Sequence, residues 1–412
     1  MPESAHSLSI VPWMTAPAVS RLFEALGAPN TDVRFVGGCV RNLVMGIEVS
    51  EIDIATPDEP QKVIELLSRA NLKCVPTGLS HGTVTAIIED TSFEITSLRK
   101  DTACDGRHAA VEFTSDWEED AGRRDFTFNA MSLRPNGDVF DYHAGLADAK
   151  EGQVRFVGNA ADRIQEDFLR ILRLFRFQAW YGRVPIEPGT IAACQKYADG
   201  IEKLSGERLQ QELSKLLIAP DPSGAVDTMH ACGVLAKIIP GGGNIAALKR
   251  LIQFEAHASD FPYDWLRRLA AMIGMESVSQ LAGRLKLSNA SSRRLQLLKT
   301  ECTQTDFKER NLQRQFYKIG PLLTLERALL MNSVDSAEDS GLIAAIAAAA
   351  AAWTPRDFPI GGDDVLALGA PHGPQIGQVL AELEDLWIAS GFRKNREDLL
   401  AEARRRISQV QT

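Results

Sequence analysis

Two carboxylates follow a Gly-Gly turn in the first part of the chain. The turn is Gly37-Gly38, an arginine follows it at Arg41, and the carboxylates are Glu51 and Asp53. Glycines let backbone amides approach a phosphate closely, and the arginine adds charge-assisted hydrogen bonds to it. Residues two apart on a strand face the same side, so the acidic pair brings two like charges together, which a divalent cation neutralises. The pattern indicates a phosphate and Mg²⁺ site; the alternative is a turn beside an unrelated exposed acidic pair.

A second polar segment, RRDFTFNA, covers residues 123–130. Arginine forms paired hydrogen bonds with phosphate oxygens, so we interpret Arg124 as a triphosphate ligand. Asp125 and Asn129 would then fix the local backbone. The alternative is an ordinary surface turn with two solvated arginines.

A third segment, residues 166–177, repeats a charged residue every three positions among Ile, Leu and Phe. The charged residues are Asp167, Arg170, Arg173 and Arg176. Aspartate and arginine together offer acceptor and donor groups to the edge of a nucleic-acid base. The segment therefore indicates base recognition from an apolar helix, and the alternative is a set of salt bridges within that helix.

The elements that position these residues change character along the chain. The first 150 residues mix strand and helix signals, and after about residue 160 the strand signals fade into helical periodicity. We predict an α+β fold, with a mixed sheet and helices followed by an all-α remainder. The clearest predictions are strands at 33–36, 52–55, 83–88 and 93–98, and helices at 40–45, 59–70 and 164–180.

Composition limits the other classes of function. The formal net charge of −9 argues against coating nucleic acid through bulk charge, although it allows a local basic groove. Six cysteines stand singly with no CxxC pair, which is unlike a disulfide framework or a structural zinc site and fits the reducing cytoplasm. No apolar run approaches the length of a membrane span, and HExxH is absent.

Taken in order, the segments resemble the class II tRNA nucleotidyltransferase and bacterial poly(A) polymerase family. The resemblance covers about residues 33–217 and rests on GGCVR with EID, TGLSHGTVT, FEITSLR, RRDFTFNA, EDFLRILRLFRF and GERLQQEL. A weaker likeness, FPIGGDDVLALG with GPQIG, lies near the C-terminus. The family implies a nucleotidyltransferase palm as head (1–150), a helical neck with a base-reading helix (151–220), and a helical, tRNA-binding body and tail (221–412).

The resemblance also implies roles for individual residues. Glu51 and Asp53 are implied to be catalytic and to hold Mg²⁺, with Mn²⁺ as a possible substitute, and Glu94 is a further metal-site candidate. The residues implied to bind the nucleotide are Gly38, Arg41 and Arg124 at the phosphates, and Asp167, Arg170, Arg173 and Arg176 at the base.

The implied reaction is template-independent addition of CCA to tRNA 3′ ends from CTP and ATP, with release of pyrophosphate. TGLSHGTVT is more similar to CCA-adding members than to poly(A) polymerases, which tend to carry an arginine-rich segment there. Residues 105–108 fall in the loop that helps the family switch from CTP to ATP. The alternatives are a poly(A) polymerase, a CC- or A-adding enzyme, and a non-catalytic RNA-binding relative. No membrane and no stable protein partner are predicted.

Two positions depart from the family's pattern. Glu51 stands where the family usually has aspartate, and Asn42 stands where an aspartate usually follows the arginine. The extra methylene of Glu51 moves its carboxylate by about a bond length, and Mg²⁺ tolerates distorted geometry poorly. We expect lower activity or a preference shifted toward Mn²⁺. The change at Asn42 is expected to be milder.

Overall fold

The computed structural model describes residues 6–104, 109–257, 262–335, 340–370 and 373–410. The chain divides into two compact units. Unit 1 contains the residues up to Gly243 together with Gly283–Lys286, and unit 2 contains Asn244–Ala282 and the residues from Leu287 onward. The loop predicted to take part in nucleotide switching, residues 105–108, lies outside the described residues.

The strands all belong to unit 1. They are β1 (His6–Ser7), β2 (Arg34–Val36), β3 (Asp53–Thr56), β4 (Lys73–Gly78), β5 (Thr83–Ile88), β6 (Thr91–Ser97), β7 (Arg99–Cys104), β8 (Ala109–Phe113), β9 (Ser132–Leu133) and β10 (Asp138–Phe140). Eight of them form one sheet in the order β1-β10-β9-β2-β3-β6-β5-β4, and β7 pairs with β8 as a separate hairpin. Within the large sheet only β3 and β6 run parallel, which makes the sheet mixed as predicted.

One face of the large sheet packs on helices. Along β5, buried residues alternate with half-buried ones, and the buried side chains are Val84, Ala86 and Ile88. This alternation is the period of a strand with one covered face. Helices α1 (Pro17–Ala25), α2 (Gly38–Met45) and α3 (Pro60–Arg69) lie against the sheet region through their buried apolar side chains. The sequence predicts α2, α3, β2, β3, β5 and β6 with ends that differ by one or two residues.

Seven further helices belong to the described residues of unit 1. They are α4 (Trp117–Gly122), α5 (Gly145–Glu151), α6 (Ala160–Glu166), α7 (Leu169–Tyr181), α8 (Pro188–Tyr197), α9 (Gly206–Leu217) and α10 (Ser223–Ala231). The single helix predicted at 164–180 is therefore wrong, because the chain breaks at Asp167, whose backbone is extended (φ −154°, ψ 110°). The Asp167 carboxylate accepts from the Leu169 backbone N–H at 3.0 Å, a local bond that competes with helix continuation.

Beyond the neck, the described chain contains helices and no strand. The helices are α11 (Ile245–His257), α12 (Trp265–Met272), α13 (Val278–Arg284), α14 (Asn289–Lys299), α15 (Glu309–Ile319), α16 (Pro321–Asp335), α17 (Ser340–Ala351), α18 (Gly362–Ala367), α19 (Pro374–Ala389) and α20 (Arg396–Val410). The predicted α+β class, with a mixed sheet followed by helices, is confirmed. None of the described helices combines the length and apolar character needed to cross a bilayer.

Unit 2 is held together by buried charges as well as apolar packing. Glu255 accepts from both Arg267 and Arg268 at 2.8 Å, and Glu326 accepts from Arg267 at 3.0 Å and from Arg294 at 2.6 Å. Except for the partly exposed Arg294, these side chains are almost completely buried. Buried charges persist only when paired and hydrogen-bonded, so this network links α11, α12, α14 and α16 in one arrangement.

Candidate active site

Strand pairing places one predicted carboxylate directly beside another. Asp53 begins β3 and lies opposite Glu94 of β6 in parallel register, with Val36 of β2 on its other side. Glu51 lies two residues before β3 begins, so the strand periodicity used to place it beside Asp53 does not apply. Asp53 is half-buried, whereas Glu51 and Glu94 are exposed.

The electrostatics of these three carboxylates suit a divalent cation. Burial, followed by repulsion from Glu94 and Glu51, raises the pKa of Asp53 to about 6. Within the described ranges no hydrogen bond or ion pair to the Asp53 carboxylate is present. In the same ranges no three His, Cys, Asp or Glu side chains are close enough to hold a metal ion on their own. Mg²⁺ is usually bound by only a few protein carboxylates, and substrate phosphates complete its coordination. These residues therefore fit the ion.

The Gly-Gly turn lies close to Asp53 and Arg124. Gly37 has φ +69°, a conformation that side chains rarely adopt, and it immediately precedes helix α2. A Cβ at Gly37 would lie 3.6 Å from both the Asp53 Oδ2 and an Arg124 side-chain nitrogen, so backbone, carboxylate and guanidinium meet here. The start of α2 therefore lies at a cavity bordered by a cation and an anion.

Arg41 is a buried cation with neutral partners. It is 7% exposed, and its guanidinium donates to Asn129 Oδ1 at 2.7 Å, Asn42 Oδ1 at 2.8 Å and the Tyr181 hydroxyl at 2.9 Å. Burial lowers the pKa of Arg41, since the charged form loses solvation. Within the described ranges no carboxylate forms an ion pair with it. A buried charge that forms no ion pair is costly, so a bound anion would stabilise the Arg41 cation.

Arg124 is held by a carboxylate from the preceding helix. The Asp120 side chain on α4 is 2% exposed and accepts from Arg124 Nε at 3.1 Å and Nη2 at 3.0 Å. Its other oxygen accepts from Arg123 at 2.7 Å and from the Arg99 backbone N–H at 3.2 Å. One buried carboxylate thus orients both arginines of the RRDFTFNA segment and ties them to the start of β7.

On the neck, the predicted base-reading pair lies on either side of the helix break. Asp167 precedes α7, and its second carboxylate oxygen accepts from Arg208 Nη2 of α9 at 2.6 Å. Arg170 lies in the first turn of α7, pairs with Glu166, and donates to the Arg163 carbonyl at 3.1 Å. Both side chains are half-buried, so part of each faces the cavity.

Arg173 and Arg176 pair with carboxylates from other elements. Arg173 Nε donates to Asp125 at 2.7 Å, and Arg176 Nε lies 3.2 Å from Glu212 of α9. Glu212 is almost completely buried and also lies 3.7 Å from Arg173. The alternative of salt bridges within one helix therefore does not describe these two arginines, which connect α7 to the RRDFTFNA segment and to α9.

These side chains enclose a single cleft of about 460 Å³ within unit 1. Of the predicted site residues, seven line it: Gly38, Arg41, Asp53, Arg124, Asp167, Arg170 and Arg173. Arg176 lines a neighbouring pocket, and Glu51 and Glu94 line neither cavity. The cleft joins the Gly-Gly turn, a carboxylate repelled by its neighbours, and donors and acceptors suited to a base.

Known proteins share both the segments and the architecture. The model of the Poly A polymerase head domain matches residues 33–155, and that of the probable RNA and SrmB-binding site of polymerase A matches residues 184–243. The mitochondrial CCA tRNA nucleotidyltransferase 1 of Mus musculus is 34% identical over 92% of this chain and 88% of its own length. The CCA-adding enzyme of Limosilactobacillus fermentum is 31% identical over 94% of this chain and 95% of its own length.

The chain belongs to the CCA tRNA nucleotidyltransferase and poly(A) polymerase family. The resemblance stated from the sequence motifs is thereby confirmed. The fold agrees as well: a solved structure of the Bacillus stearothermophilus CCA-adding enzyme in complex with CTP superposes with a TM-score of 0.75, at 23% identity, over 96% of this chain and 99% of that one.

Sequence reasoning missed part of the cleft. Arg123 and Arg208 line it, and Asp120 and Glu212 orient its arginines from behind. The Ser205 side chain caps α9 by accepting from the Arg208 backbone N–H, and the Arg208 side chain reaches Asp167. In the sequence, Asp120 lies three positions from Arg123 and Glu212 lies four positions from Arg208. Such spacing alone does not tell which acidic residue meets which arginine.

Proposed function

We propose that this protein adds C, C and A to the 3′ end of tRNA from CTP and ATP without a nucleic-acid template. The observation that carries the proposal is the cleft in which the Gly37-Gly38 turn, the buried Arg41, Asp53 and the Asp167–Arg170 pair meet. The relatives support it: two are named CCA-adding or CCA tRNA nucleotidyltransferases, and related solved structures contain CTP, ATP or tRNA.

The reaction is a displacement at the α-phosphorus of the bound nucleotide. The oxygen of the RNA 3′-hydroxyl forms a bond to phosphorus, its proton passes to solvent, and the bond between phosphorus and the bridging oxygen breaks with its electron pair going to pyrophosphate. Such transfer depends on positioning and charge neutralisation, so the protein needs no covalent nucleophile. Arg41, Arg124 and the α2 amides hold the negative phosphates in place.

Asp53 is the residue proposed to hold the catalytic divalent cation, with Glu51 and Glu94 as its nearest carboxylates. When bound, Mg²⁺ or Mn²⁺ would neutralise phosphate charge and favour ionisation of the RNA hydroxyl. The raised pKa of Asp53 supports this assignment, because a carboxylate repelled by its neighbours gains most from a cation.

Asp167 and Arg170 are proposed to select the nucleotide. A carboxylate accepts hydrogen bonds from an exocyclic amino group and a guanidinium donates to a ring nitrogen or carbonyl, so the pair can recognise cytosine and adenine by their edges. Both Asp167 oxygens already accept hydrogen bonds, from Leu169 and Arg208, which fixes the carboxylate before a nucleotide arrives.

Our proposal also assigns nucleotide transfer, base selection and tRNA binding to different parts of the chain. We assign nucleotide transfer to the head (1–150), base selection to the neck (151–220) and tRNA binding to the body and tail (221–412). Cytoplasmic location likewise stays a prediction from cysteine usage, and relatives include proteins named as mitochondrial.

The decisive experiment offers the purified protein three tRNA transcripts, lacking CCA, CA or A, with labelled CTP, ATP or both. We expect stepwise addition of C, C and A that then stops. Extension with ATP alone would assign the chain to the A-adding or poly(A) branch, and binding of tRNA without incorporation in either Mg²⁺ or Mn²⁺ would identify a non-catalytic relative.

A variant series links this activity to the cleft. Asp53→Ala and Asp53→Asn are expected to lower incorporation by at least about a thousandfold, since the metal-binding carboxylate is removed. Asp162→Asn, an exposed aspartate on α6, serves as the matched control and should retain activity. Full activity of folded Asp53→Ala would refute the assignment of this cleft.

A further inference from the structure

A second pocket of about 290 Å³ adjoins the nucleotide cleft on the far side of Arg41. It is lined by Arg41, Arg176, Phe177, Trp180, Tyr181, Lys215 and Ile218, all within unit 1. Arg41 and Phe177 also line the nucleotide cleft, so the two cavities share a wall. The nucleotide assignments leave this pocket without a role.

The charge of the pocket wall is one-sided. Three of its residues are cations, and no carboxylate lines it. Arg41 is buried with neutral partners, and within the described ranges Lys215 has no ion pair and is exposed. Arg176 alone is paired, through Glu212 behind the wall. Such a cavity attracts an anion.

The aromatic side chains hold the pocket open in a defined shape. The Trp180 indole N–H donates to the Lys215 backbone carbonyl at 2.7 Å, which joins the end of α7 to the end of α9. The Tyr181 ring lies 4.1 Å from the Arg41 guanidinium and its hydroxyl accepts from the same group. Arg176 and Lys215 thus lie on two helices whose ends are joined, and Arg41 lies on α2.

Its position relative to Asp53 indicates which anion reaches it. Asp53 lines the nucleotide cleft but not this pocket. In an in-line displacement the attacking oxygen and the leaving group lie on opposite sides of the α-phosphorus. If the RNA hydroxyl arrives beside Asp53, the pyrophosphate leaves from the opposite side of the α-phosphorus, and the pocket adjoins the cleft at Arg41, the proposed phosphate ligand.

We propose that the pocket formed by Arg41, Arg176, Trp180 and Lys215 receives the pyrophosphate that leaves after each nucleotide addition. The proposal rests on the proposed function, because only nucleotide transfer generates this anion here. Lys215 is then a product-binding residue: it stabilises released pyrophosphate, and in the reverse reaction it helps to deliver pyrophosphate to the 3′-terminal nucleotide.

The test measures product inhibition in Lys215→Glu, with Lys215→Arg as the conservative variant and Lys196→Glu, an exposed lysine on α8, as the matched control. Inorganic pyrophosphate is added at increasing concentration to the forward assay. We expect Lys215→Glu to raise the inhibition constant of pyrophosphate by about tenfold, the scale of a lost charge-assisted contact. Lys215→Arg and Lys196→Glu should stay within about twofold of the unmodified chain.

Two further readouts separate this role from nucleotide or RNA binding. With inorganic pyrophosphatase present, Lys215→Glu should keep its KM for ATP, CTP and tRNA within about twofold, because product no longer accumulates. With tRNA ending in CCA and added pyrophosphate, the release of ATP should fall by about the same factor as the inhibition constant rises.

Several outcomes would overturn the proposal. Unchanged pyrophosphate inhibition in folded Lys215→Glu would remove the pocket's role, an equal rise in KM for ATP and CTP would make Lys215 part of the triphosphate site, and a rise in KM for tRNA alone would make the pocket an RNA contact. If the unmodified chain incorporates nothing, the proposed function fails first. Calorimetric titration with inorganic pyrophosphate then decides separately whether Lys215→Glu binds it more weakly than Lys196→Glu.

Discussion

At the scale of single residues, Asp120 illustrates how the site depends on a side chain that faces away from the substrate. Its carboxylate accepts from Arg123, Arg124 and the Arg99 backbone. Burial disfavours the charged form of Asp120, but the attraction of Arg124 and Arg123 outweighs this effect and lowers the pKa of Asp120. Asp120 is therefore ionised, and it acts as a positioning residue for the proposed phosphate ligand Arg124.

Replacing Asp120 by asparagine should raise the KM for ATP and CTP by about tenfold or more, because Arg124 loses the charge that orients it. Steady-state incorporation kinetics on tRNA lacking the terminal A measure the effect. Glu119→Gln, an exposed neighbour on α4, is the control and should leave KM unchanged. If Asp120→Asn lowers thermal stability with no change in KM, Asp120 is purely structural.

Glu51 is the departure from the family pattern that bears most directly on metal binding. It is exposed and precedes β3, where backbone geometry does not dictate its distance from Asp53. We expect Glu51→Asp to increase incorporation in Mg²⁺ and to reduce the ratio of Mn²⁺ to Mg²⁺ activity by a few-fold, since Mg²⁺ demands stricter ligand geometry. Rates measured with each metal test this; an unchanged ratio would show that the longer side chain is accommodated, and Glu48→Asp is the control.

At the scale of elements, a buried arginine anchors the central strand beneath the site. Arg34 of β2 is fully buried, and its guanidinium lies 4.0 Å from the Trp117 ring and 3.6 Å from the Phe140 ring. Asp32 supplies its counter-charge and also accepts from Arg134 at 2.8 Å. Burial opposes ionisation, but the hydrogen bonds and attraction of the two arginines prevail and lower the pKa of Asp32 to about 2.

Asp32→Asn should reduce the free energy of unfolding at neutral pH by about 2 kcal/mol, the value that corresponds to a pKa lowered from 3.8 to about 2. Because the folded-state pKa lies below the unfolded-state value, this stabilisation is complete above pH 4 and is lost as pH falls toward 2. Urea unfolding followed by fluorescence between pH 7 and pH 3 measures it. Asp58→Asn is the control, and a difference that stays constant below pH 4 would contradict the electrostatic explanation.

At the scale of the whole molecule, the net charge of −9 makes nucleic-acid binding a matter of local cationic surfaces. The arginines of the cleft are largely balanced by carboxylates, among them Asp120, Asp125 and Glu212. The net negative charge of the chain repels polyanions in general. It therefore favours partners whose shape allows specific contacts between their phosphates and the local cations.

The affinity for tRNA should fall steeply with salt, while excess double-stranded DNA competes poorly. Even two neutralised phosphates imply a loss of about tenfold between 50 and 200 mM salt. Filter binding or anisotropy across this range, with tRNA lacking CCA and with duplex DNA of equal length, measures both. A flat salt response, or equal binding of duplex DNA, would contradict this prediction.

The residue types and their spacing along the chain predicted the family, the α+β class and many of the residues that line the cleft. Local signals suffice for these, since a Gly-Gly turn, a charged repeat on an apolar segment and alternating strands are written in neighbouring residues. Only tertiary structure decided which charges meet. The helix break at Asp167 follows from its hydrogen bond with the Leu169 backbone, and Arg208 holds the Asp167 carboxylate in place. Asp120 orients the side chain of Arg124.

The pocket beside Arg41 shows the same limit more sharply. Arg41 and Tyr181 are 140 positions apart, and Trp180 and Lys215 are 35 apart. Nothing in the local sequence around these four residues predicts that they line one cationic pocket. Contacts across such separations depend on how α2, α7 and α9 pack, and packing is set by the whole buried surface of unit 1, which no local pattern encodes.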